Sequence, residues 1–434
     1  MAESVVIRDL PSARECPDCG LFQRLPPIPD GEAALCVRCN ALLQRAARDS
    51  IPFATVSLAC AALLFVLALN LPLADFSVLG RFDTATVFSG PEMLRSAGLP
   101  ALGLVVLGAL VALPGAKLAL ELAVLFGLRI PHPPAWLPRL FVWVRHVSPW
   151  AMVDVFLLGS FVAYTRLKAL AHVDVGLAPV AFGGVMLAMV ASDATLDREA
   201  IWQELEARTS HLKRPSRRRF TDERRSASEP GLIGCDECGR VAHAEEGDPC
   251  PRCRHPLAVR KGGMDRVWAL VIAAALLYIP ANVLPVMSIV RMGKGGPSTI
   301  VNGVVELAKA QLWPLAMLVL LASVVIPMVK LVSLVTMLVM THRRSAKALF
   351  ARTRLFRFVR IIGRWSMIDI FMLSVLVGLV RFGAIASVVP NMGAVAFCGV
   401  VLVTMAATEM FDPRLMWDAA GLQERACEVK AKTS

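Results

Sequence analysis

Eight of the eleven cysteines occur in Cys-x-x-Cys motifs, two pairs near the start of the chain and two beyond its middle. These residues are Cys16, Cys19, Cys36, Cys39, Cys235, Cys238, Cys250 and Cys253. Two tight turns that each present two thiolates complete a tetrahedral site, so the spacing predicts two zinc ribbons, each with one structural Zn2+. Iron in a rubredoxin-like site is the main alternative, whereas a redox couple requires no second pair. Gly20 and Gly239 follow the first pair of each set, where a residue with positive φ favours the turn.

Four further residues carry a charge within long apolar stretches. Lys117 and Lys330 each lie three residues after a proline, and Asp154 and Asp369 lie in the apolar stretches that follow. Ionisable residues within a membrane mark substrate or proton paths, so these four are candidates for transport and proton coupling. A static ion pair that fixes the helix register, or a lysine that reaches the membrane surface, is the competing interpretation. Similar depths would allow each lysine to meet the following aspartate if the two helices pack together.

The apolar stretches are long enough to cross a membrane. The 434-residue chain is 56% hydrophobic, with a mean hydropathy of +0.60, whereas soluble domains are roughly 45–50% apolar. Residues 56–73, 97–116 and 267–290 contain no charged residue, and 315–340 contain only Lys330. Such stretches indicate membrane helices. No apolar segment of the kind found in a cleavable signal precedes them, so we expect the first cysteines to stay in the reducing cytosol.

The chain also repeats itself. A shift of 213 residues superimposes Lys117 on Lys330, and a shift of 215 superimposes many identical residues of 139–202 on those of 354–417. The sequence therefore predicts an all-α polytopic membrane protein, formed by tandem duplication of a four-cysteine zinc ribbon followed by four transmembrane helices. The eight predicted spans are 52–73, 99–126, 148–171, 175–196, 266–289, 312–341, 364–388 and 391–411.

This repeat divides the chain into six predicted regions. They are an N-terminal zinc ribbon (1–50), a first four-helix membrane unit (51–204), a basic linker (205–230), a second zinc ribbon (231–262), a second four-helix membrane unit (263–418) and a cytosolic tail (419–434).

The basic residues predict the orientation of the chain. The net charge is +12, and much of it lies in the linker and between the sixth and seventh spans. The segments 75–97 and 290–311 are much less basic, so we expect them in the periplasm and both termini in the cytosol. The two halves then have the same orientation. Because the basic runs serve as topology determinants and contacts to anionic lipid, no nucleic-acid partner is expected.

Two other sets of residues are expected near membrane surfaces. Arg166 and Arg381 lie near the predicted periplasmic ends of helices, where long cationic side chains extend towards water. Trp202 and Trp417 follow the last span of each half, which is typical of interfacial anchors.

In their order and duplication, these motifs resemble the paraquat-inducible protein A family, which includes the lipophilic-envelope-spanning-tunnel A proteins. The resemblance rests on CPDCG with CVRC, CDECG with CPRC, PGAK117 with PMVK330, WAMVD154 with WSMID369, and FDPRLMW417. It covers nearly the whole chain. It implies lipid transport across the Gram-negative envelope, from the inner membrane, together with an oligomeric periplasmic MCE-domain protein that forms a hydrophobic tunnel.

The expected function is therefore an inner-membrane subunit that moves phospholipid between the membrane and the MCE-domain partner, with protons as a candidate energy source. A zinc-ribbon scaffold, or a sensor of metal or redox stress without transport activity, is the alternative. We do not expect an enzyme, because the sequence lacks the GxxxxGK[ST], GxSxG and HExxH motifs and four thiolates leave a metal no open position.

Overall fold

The computed structural model describes residues 13–47, 50–78, 81–131, 133–168, 172–209, 231–291, 294–379 and 386–422. Most of the predicted basic linker, most of the predicted tail and Arg381 lie outside these residues.

Within the described residues, eight helical segments are long and apolar enough to cross a membrane, as the sequence predicts. We number them spans 1 to 8: Ser50–Asn70, Pro100–Gly127, Leu137–Lys168, Ala178–Thr195, Met264–Val283, Trp313–His342, Leu349–Leu379 and Met392–Met410. Spans 3 and 7 begin more than ten residues before their predicted starts. Each begins with an amphipathic helix. The charged residues on the polar face of that helix interrupt the uncharged stretch from which the start of the span was predicted.

The helices of the first half are α1 (Ser50–Asn70), α2 (Ser89–Ser96), α3 (Pro100–Leu107), α4 (Leu113–Gly127), α5 (Leu137–Val147), α6 (Val153–Lys168), α7 (Ala178–Thr195) and α8 (Arg198–Thr209). Those of the second half are α9 (Met264–Val283), α10 (Ile300–Lys309), α11 (Trp313–Leu320), α12 (Ile326–His342), α13 (Leu349–Ile362), α14 (Ile368–Leu379), α15 (Met392–Met410) and α16 (Arg414–Ala419). The helices therefore recur in the same order in both halves.

The strands are β1 (Ala13–Glu15), β2 (Phe22–Arg24), β3 (Ala33–Leu35), β4 (Leu42–Arg45), β5 (Ala74–Val78), β6 (Arg81–Ala85), β7 (His172–Val175), β8 (Leu232–Gly234), β9 (Val241–His243), β10 (Met287–Arg291), β11 (Lys294–Ser298) and β12 (Ala386–Pro390).

The prediction of an all-α protein is incomplete, because each half also contains a three-stranded antiparallel sheet. The strand orders are β6-β5-β7 and β11-β10-β12, and in each sheet a hairpin pairs with the strand before the last span of its half. The strands have only four or five residues and mixed polarity, so their sequences resemble loops. We call the end of the bundle with these sheets the sheet side and the end with the cysteines the ribbon side.

A short π-helical segment interrupts spans 2 and 6 at matching places. Gly108–Ala112 precedes Pro114, and Leu321–Val325 precedes Pro327. Proline provides no backbone N–H for the preceding turn, and a π-bulge accommodates the loss without ending the helix. In the second segment Ser323 Oγ also lies 2.6 Å from the Val319 carbonyl oxygen.

The two halves meet along α6 and α14. The Phe156 and Phe371 rings cross edge to face with centroids 5.8 Å apart, and every residue of α14 is buried. Helix α2 packs against α14 so closely that a Cβ at Gly378 would lie 2.9 Å from the Gly90 nitrogen. Such small-residue contacts let membrane helices approach closely. At Gly303, which matches Gly90, the nearest atom is 3.9 Å away, so the two halves do not pack identically.

Candidate functional site

The eight paired cysteines form two buried four-sulfur clusters, as their spacing predicts. In the first ribbon the Sγ atoms of Cys16 and Cys39 are 3.5 Å apart, and in the second those of Cys238 and Cys250 are also 3.5 Å apart. All four sulfurs of each cluster lie within 4.8 Å of one another. A tetrahedral site with Zn–S bonds of about 2.3 Å requires sulfurs about 3.8 Å apart. The clusters therefore fit a four-coordinate metal ion, and these thiols are not joined as disulfides.

The turns that hold the sulfurs have the expected backbone. Gly20 and Gly239 take φ of 71° and 72° and donate their N–H groups to the first cysteine of each set at 2.9 Å. Asn40 and Arg254 repeat this turn after the second pairs, with φ of 55° and 62°. The two glycines were predictable from the sequence as turn residues, whereas Asn40 and Arg254 are residue types that do not by themselves indicate a positive φ.

Each ribbon docks on the opposite half of the protein. In the first ribbon, Cys39 accepts from Arg357 of α13 at its carbonyl (2.8 Å) and its Sγ (3.2 Å). The Arg38 guanidinium lies 5.2 Å from the ring centroid of Trp417, just after span 8. The first ribbon therefore bridges to the second half.

The second ribbon makes the reciprocal contacts to the first half. Arg252 donates to both carboxylate oxygens of Glu199 in α8, at 2.7 and 3.1 Å, and its guanidinium lies 5.9 Å from the Trp202 ring. Arg145 of α5 donates to the carbonyls of Asp236 and Glu237 in the ribbon. Because each ribbon contacts the opposite half, the two ribbons link the halves at the ribbon side.

Trp202 and Trp417 are therefore not interfacial anchors, and that prediction was wrong. Both are 5% exposed and lie beneath the ribbon of the other half, and the Trp417 indole donates to Thr353 at 3.1 Å. Their position after a span suggested the membrane surface, but the docked ribbons cover them.

A buried charge cluster joins both ribbons to the end of span 8. Arg414 pairs with Asp412 and Asp236 at 2.8 Å each and with Glu15 at 3.1 Å. Burial alone would raise the pKa of Asp412, but the hydrogen bonds and charge of Arg414 hold it below its ordinary value. Burial raises the pKa of Glu15 despite the opposing charges of Arg414 and Arg260. Both ribbons thus contribute a carboxylate to one arginine.

In the first half, Lys117 pairs with a carboxylate other than the expected one. Its Nζ lies 2.7 Å from Asp193 at the end of span 4 and 3.9 Å from Glu121 one turn along its own helix. Asp154 is half-buried, and no described ion pair joins it to Lys117. The Lys117–Asp154 pair that similar depths would allow is therefore absent from the described residues. Because Asp193 is 42% exposed while Lys117 is 3% exposed, the lysine reaches from the membrane towards the ribbon side.

In the second half, Lys330 is 1% exposed and has hydroxyl and carbonyl partners. Its Nζ donates to Thr404 Oγ1 at 2.9 Å and to the Gly363 carbonyl at 3.5 Å. Among the described residues, no carboxylate lies within 4.0 Å of it. Within the part of the chain that the structure describes, Lys330 is therefore a buried amine without an ion-pair partner.

Asp369 lies against the π segment of span 6 rather than against Lys330. It accepts from the Ser323 hydroxyl, and its other oxygen, Oδ1, is buried without a hydrogen bond from the described residues. Ser323 precedes Lys330 by seven residues, or about 10 Å along a helix axis. The Lys330–Asp369 pair that similar depths would allow does not form in the described residues, because Asp369 contacts span 6 at Ser323, about two helical turns before Lys330.

The hydroxyl partners distinguish the second half from the first. By the shifts that relate the halves, Ser323 matches Leu110 and Thr404 matches Met189. Neither hydroxyl was predicted from the sequence, because the candidate residues were those that recur in both halves. Glu121 and Asp193 were not predicted for the same reason, although a carboxylate in an apolar stretch is itself a signal.

Arg166 also departs from its predicted role. Its side chain lies in the protein next to Gly303, within reach of the charges of Asp369 and Glu306, and its Nε atom is buried. It therefore does not extend to the membrane surface as expected for a terminal arginine.

Comparison with known proteins identifies relatives along nearly the whole chain. The family model for paraquat-inducible protein A matches twice, at residues 54–206 and 264–421. The intermembrane transport protein PqiA of Escherichia coli K12 is 31% identical over 406 residues, covering 93% of this chain and 95% of the relative. The lipophilic envelope-spanning tunnel protein A of that strain is 28% identical over 411 residues, covering 94% and 91%.

A probable intermembrane transport protein of Haemophilus influenzae is 25% identical over 413 residues, covering 93% of this chain and 95% of the relative. No solved structure matches the chain. Both matches to the family model exclude the ribbons, so the four-cysteine units lie outside the part that the model describes.

Proposed function

This chain belongs to the paraquat-inducible protein A family and is a multi-pass inner-membrane protein, and we propose that it is the membrane subunit of an envelope lipid transport system. In this proposal it moves phospholipid between the inner membrane and the tunnel of a periplasmic MCE-domain oligomer. The names of two relatives, an intermembrane transport protein and an envelope-spanning tunnel protein, support the proposed role in transport across the envelope. We assign it no enzymatic reaction.

The orientation that this function requires places the ribbons and both termini in the cytosol and the sheets in the periplasm. The segment between spans 6 and 7, on the ribbon side, is strongly basic, and cytosolic loops carry such excess. The recurring helix order and the two matches to the family model support a tandem duplication whose halves share this orientation.

Cysteine labelling tests the orientation. A membrane-impermeant maleimide should label Glu92→Cys in α2 when added to intact spheroplasts, because this exposed residue lies on the sheet side. Lys347→Cys, an exposed residue between spans 6 and 7, should react only after permeabilisation. Cys60 and Cys427 are replaced in both variants to remove other reactive thiols. The opposite order of labelling would contradict the proposed topology.

We assign structural zinc to the two cysteine clusters. Four buried sulfurs in each cluster fit a tetrahedral ion, and units of roughly 30 residues bury too little apolar surface to fold alone. The bound ion would hold the turns that present Arg38 and Arg252 to the tryptophans of the opposite halves.

Metal analysis tests this assignment. Purified protein should contain two zinc ions per chain, and Cys16→Ser or Cys235→Ser should each remove one and lower protein abundance. Iron with the visible absorption of an iron–thiolate site would support the rubredoxin-like alternative. Less than one metal ion per chain in the unaltered protein would contradict both.

We further propose that the second half couples lipid movement to protons. The observation that carries this step is the different surroundings of the matched lysines. Lys117 has two nearby carboxylates, whereas Lys330 is buried against a hydroxyl and a carbonyl. A buried amine without an ion pair can change its protonation state without breaking a salt bridge. Asp369, with one unpartnered oxygen, is the second proton-binding candidate.

Reconstitution tests the proposed function directly. The chain and its periplasmic partner, placed in phospholipid vesicles, should transfer labelled phospholipid to the partner at a rate that depends on a pH gradient. Absence of lipid transfer, together with a cellular phenotype that follows thiol oxidation, would favour the scaffold or sensor function instead.

A further inference from the structure

Two neighbouring cavities lie one after the other between the proposed cytosolic surface and Lys330. The outer cavity, of about 570 Å³, lies between the ribbons and the helix ends and is lined by charged groups that include Arg145, Asp193 and Arg414. The inner cavity, of about 250 Å³, has Lys330 in its wall. Three residues line both cavities: Arg360, Thr408 and Glu409. The two spaces therefore adjoin at these side chains.

An ion pair stands at this boundary. Arg360 of α13 donates to both carboxylate oxygens of Glu409 at the end of α15, at 3.2 and 3.0 Å. The two side chains are 48% and 31% exposed. Exposed ion pairs of this kind contribute about 1 kcal/mol or less, so this one can open at little cost. We call Arg360 and Glu409 the boundary pair.

The inner cavity has polar walls and enough volume to hold water molecules next to Lys330. Its walls include Ser148 of the first half and Thr408 of the second, together with the charged groups Arg360, Arg364 and Glu409, which line the same cavity as Lys330. An ammonium group has three N–H donors, and the described protein atoms accept two of those of Lys330. Water in this cavity can accept the third.

The first half lacks the matching arrangement. Arg145 corresponds to Arg360 but donates to the second ribbon, and Ala194 corresponds to Glu409. Asp193 corresponds to Thr408 and pairs with Lys117 directly. The combination of a boundary carboxylate, a cavity and a buried amine without an ion pair is therefore specific to the second half of the described chain.

We propose that the two cavities form a proton path between Lys330 and the cytosol, with Glu409 as its relay and the boundary pair as its gate. The inference rests on the proposed function, in which Lys330 exchanges protons. The Lys330 ammonium gives a proton through cavity water to the Glu409 carboxylate, leaving a neutral amine and a carboxylic acid. The acid loses its charge attraction to Arg360, the gate opens, and the proton passes to cytosolic water. The reverse sequence loads Lys330.

Aqueous access can be measured without reference to transport. Met405→Cys places a thiol in the wall of the inner cavity, and Val190→Cys is the matched control on the exposed, lipid-facing side of span 4. Cys60, Cys398 and Cys427 are replaced, and the ribbon cysteines keep their metal. A charged methanethiosulfonate is added to the cytosolic face of inverted vesicles, and peptide mapping reports modification at each site.

Met405→Cys should react and Val190→Cys should not, and adding Glu409→Gln should speed the reaction at position 405 because it weakens the gate. No reaction at position 405 in either background would overturn the path. If Lys330→Met still abolishes proton-driven transfer in that case, the proposed function stands and only this inference fails.

The relay role of Glu409 has its own readout. Glu409→Gln should lower pH-gradient-driven lipid transfer on the order of 10- to 100-fold and flatten its dependence on cytosolic pH, whereas Glu409→Asp should restore both. Normal transfer with an unchanged pH profile in Glu409→Gln would overturn the relay.

Discussion

Lys330→Met is expected to abolish pH-gradient-driven lipid transfer while the protein reaches normal abundance with two bound zinc ions. Because Lys330 forms no ion pair with a described residue, its removal leaves no carboxylate without a partner. A charge at the centre of a membrane costs about 2.5–3.5 kcal/mol on insertion scales, so the methionine should not destabilise the fold. The loss should therefore affect transfer alone, measured in vesicles that contain equal amounts of protein.

The matched variant Lys117→Met should have the opposite effect. Its removal leaves Glu121, 3% exposed, as a buried carboxylate without its nearest cation. Breaking a buried pair from one side costs about 3–5 kcal/mol, and the partial exposure of Asp193 reduces that cost here. We expect lower abundance and a lower melting temperature, with the transfer rate per folded molecule close to normal. Wild-type transfer by Lys330→Met, or complete loss of transfer by well-folded Lys117→Met, would contradict the assignment of coupling to the second half.

The membrane helices and metal ligands were predictable because their signals are local. A run of apolar residues predicts a membrane span, and the spacing of the cysteines predicts a zinc ribbon. The repeat supports both predictions, because the spans and the cysteine sets recur in the second half in the same order. These features require no knowledge of which helices are neighbours.

The partners of the buried charges depend on packing and could not be read in the same way. Lys117 and Asp193 are 76 residues apart, and Lys330 and Thr404 are 74 residues apart. The exchanged ribbons and the boundary pair likewise arise from contacts between distant parts of the chain. The duplication emphasises residues that both halves share, whereas the hydroxyls near Lys330 and Asp369 have no counterpart in the first half.

The second large effect is expected for Asp369→Asn. The substitution keeps the shape of the side chain and an oxygen that accepts from Ser323, so the protein should fold and retain its zinc. It removes the charge near Arg166 and the proton-binding site, and transfer should fall to the background of empty vesicles. Asp154→Asn is the matched control. That residue is half-buried and shares no described ion pair with Lys117, so its neutral variant should keep most of the transfer rate.

Combining Lys330→Met with Asp369→Leu distinguishes proton coupling from a structural pair. If the two groups served only to neutralise each other, removing both charges would restore folding and transfer. Ser323, which contacts Asp369, lies about 10 Å from Lys330 along the axis of span 6, and each group has its own hydroxyl partner, so removing one charge should not compensate for removing the other. We therefore expect the double variant to be as inactive as either single variant, at normal abundance. Full transfer by the double variant, or loss of transfer in Asp154→Asn equal to that in Asp369→Asn, would refute the proposed role of Asp369.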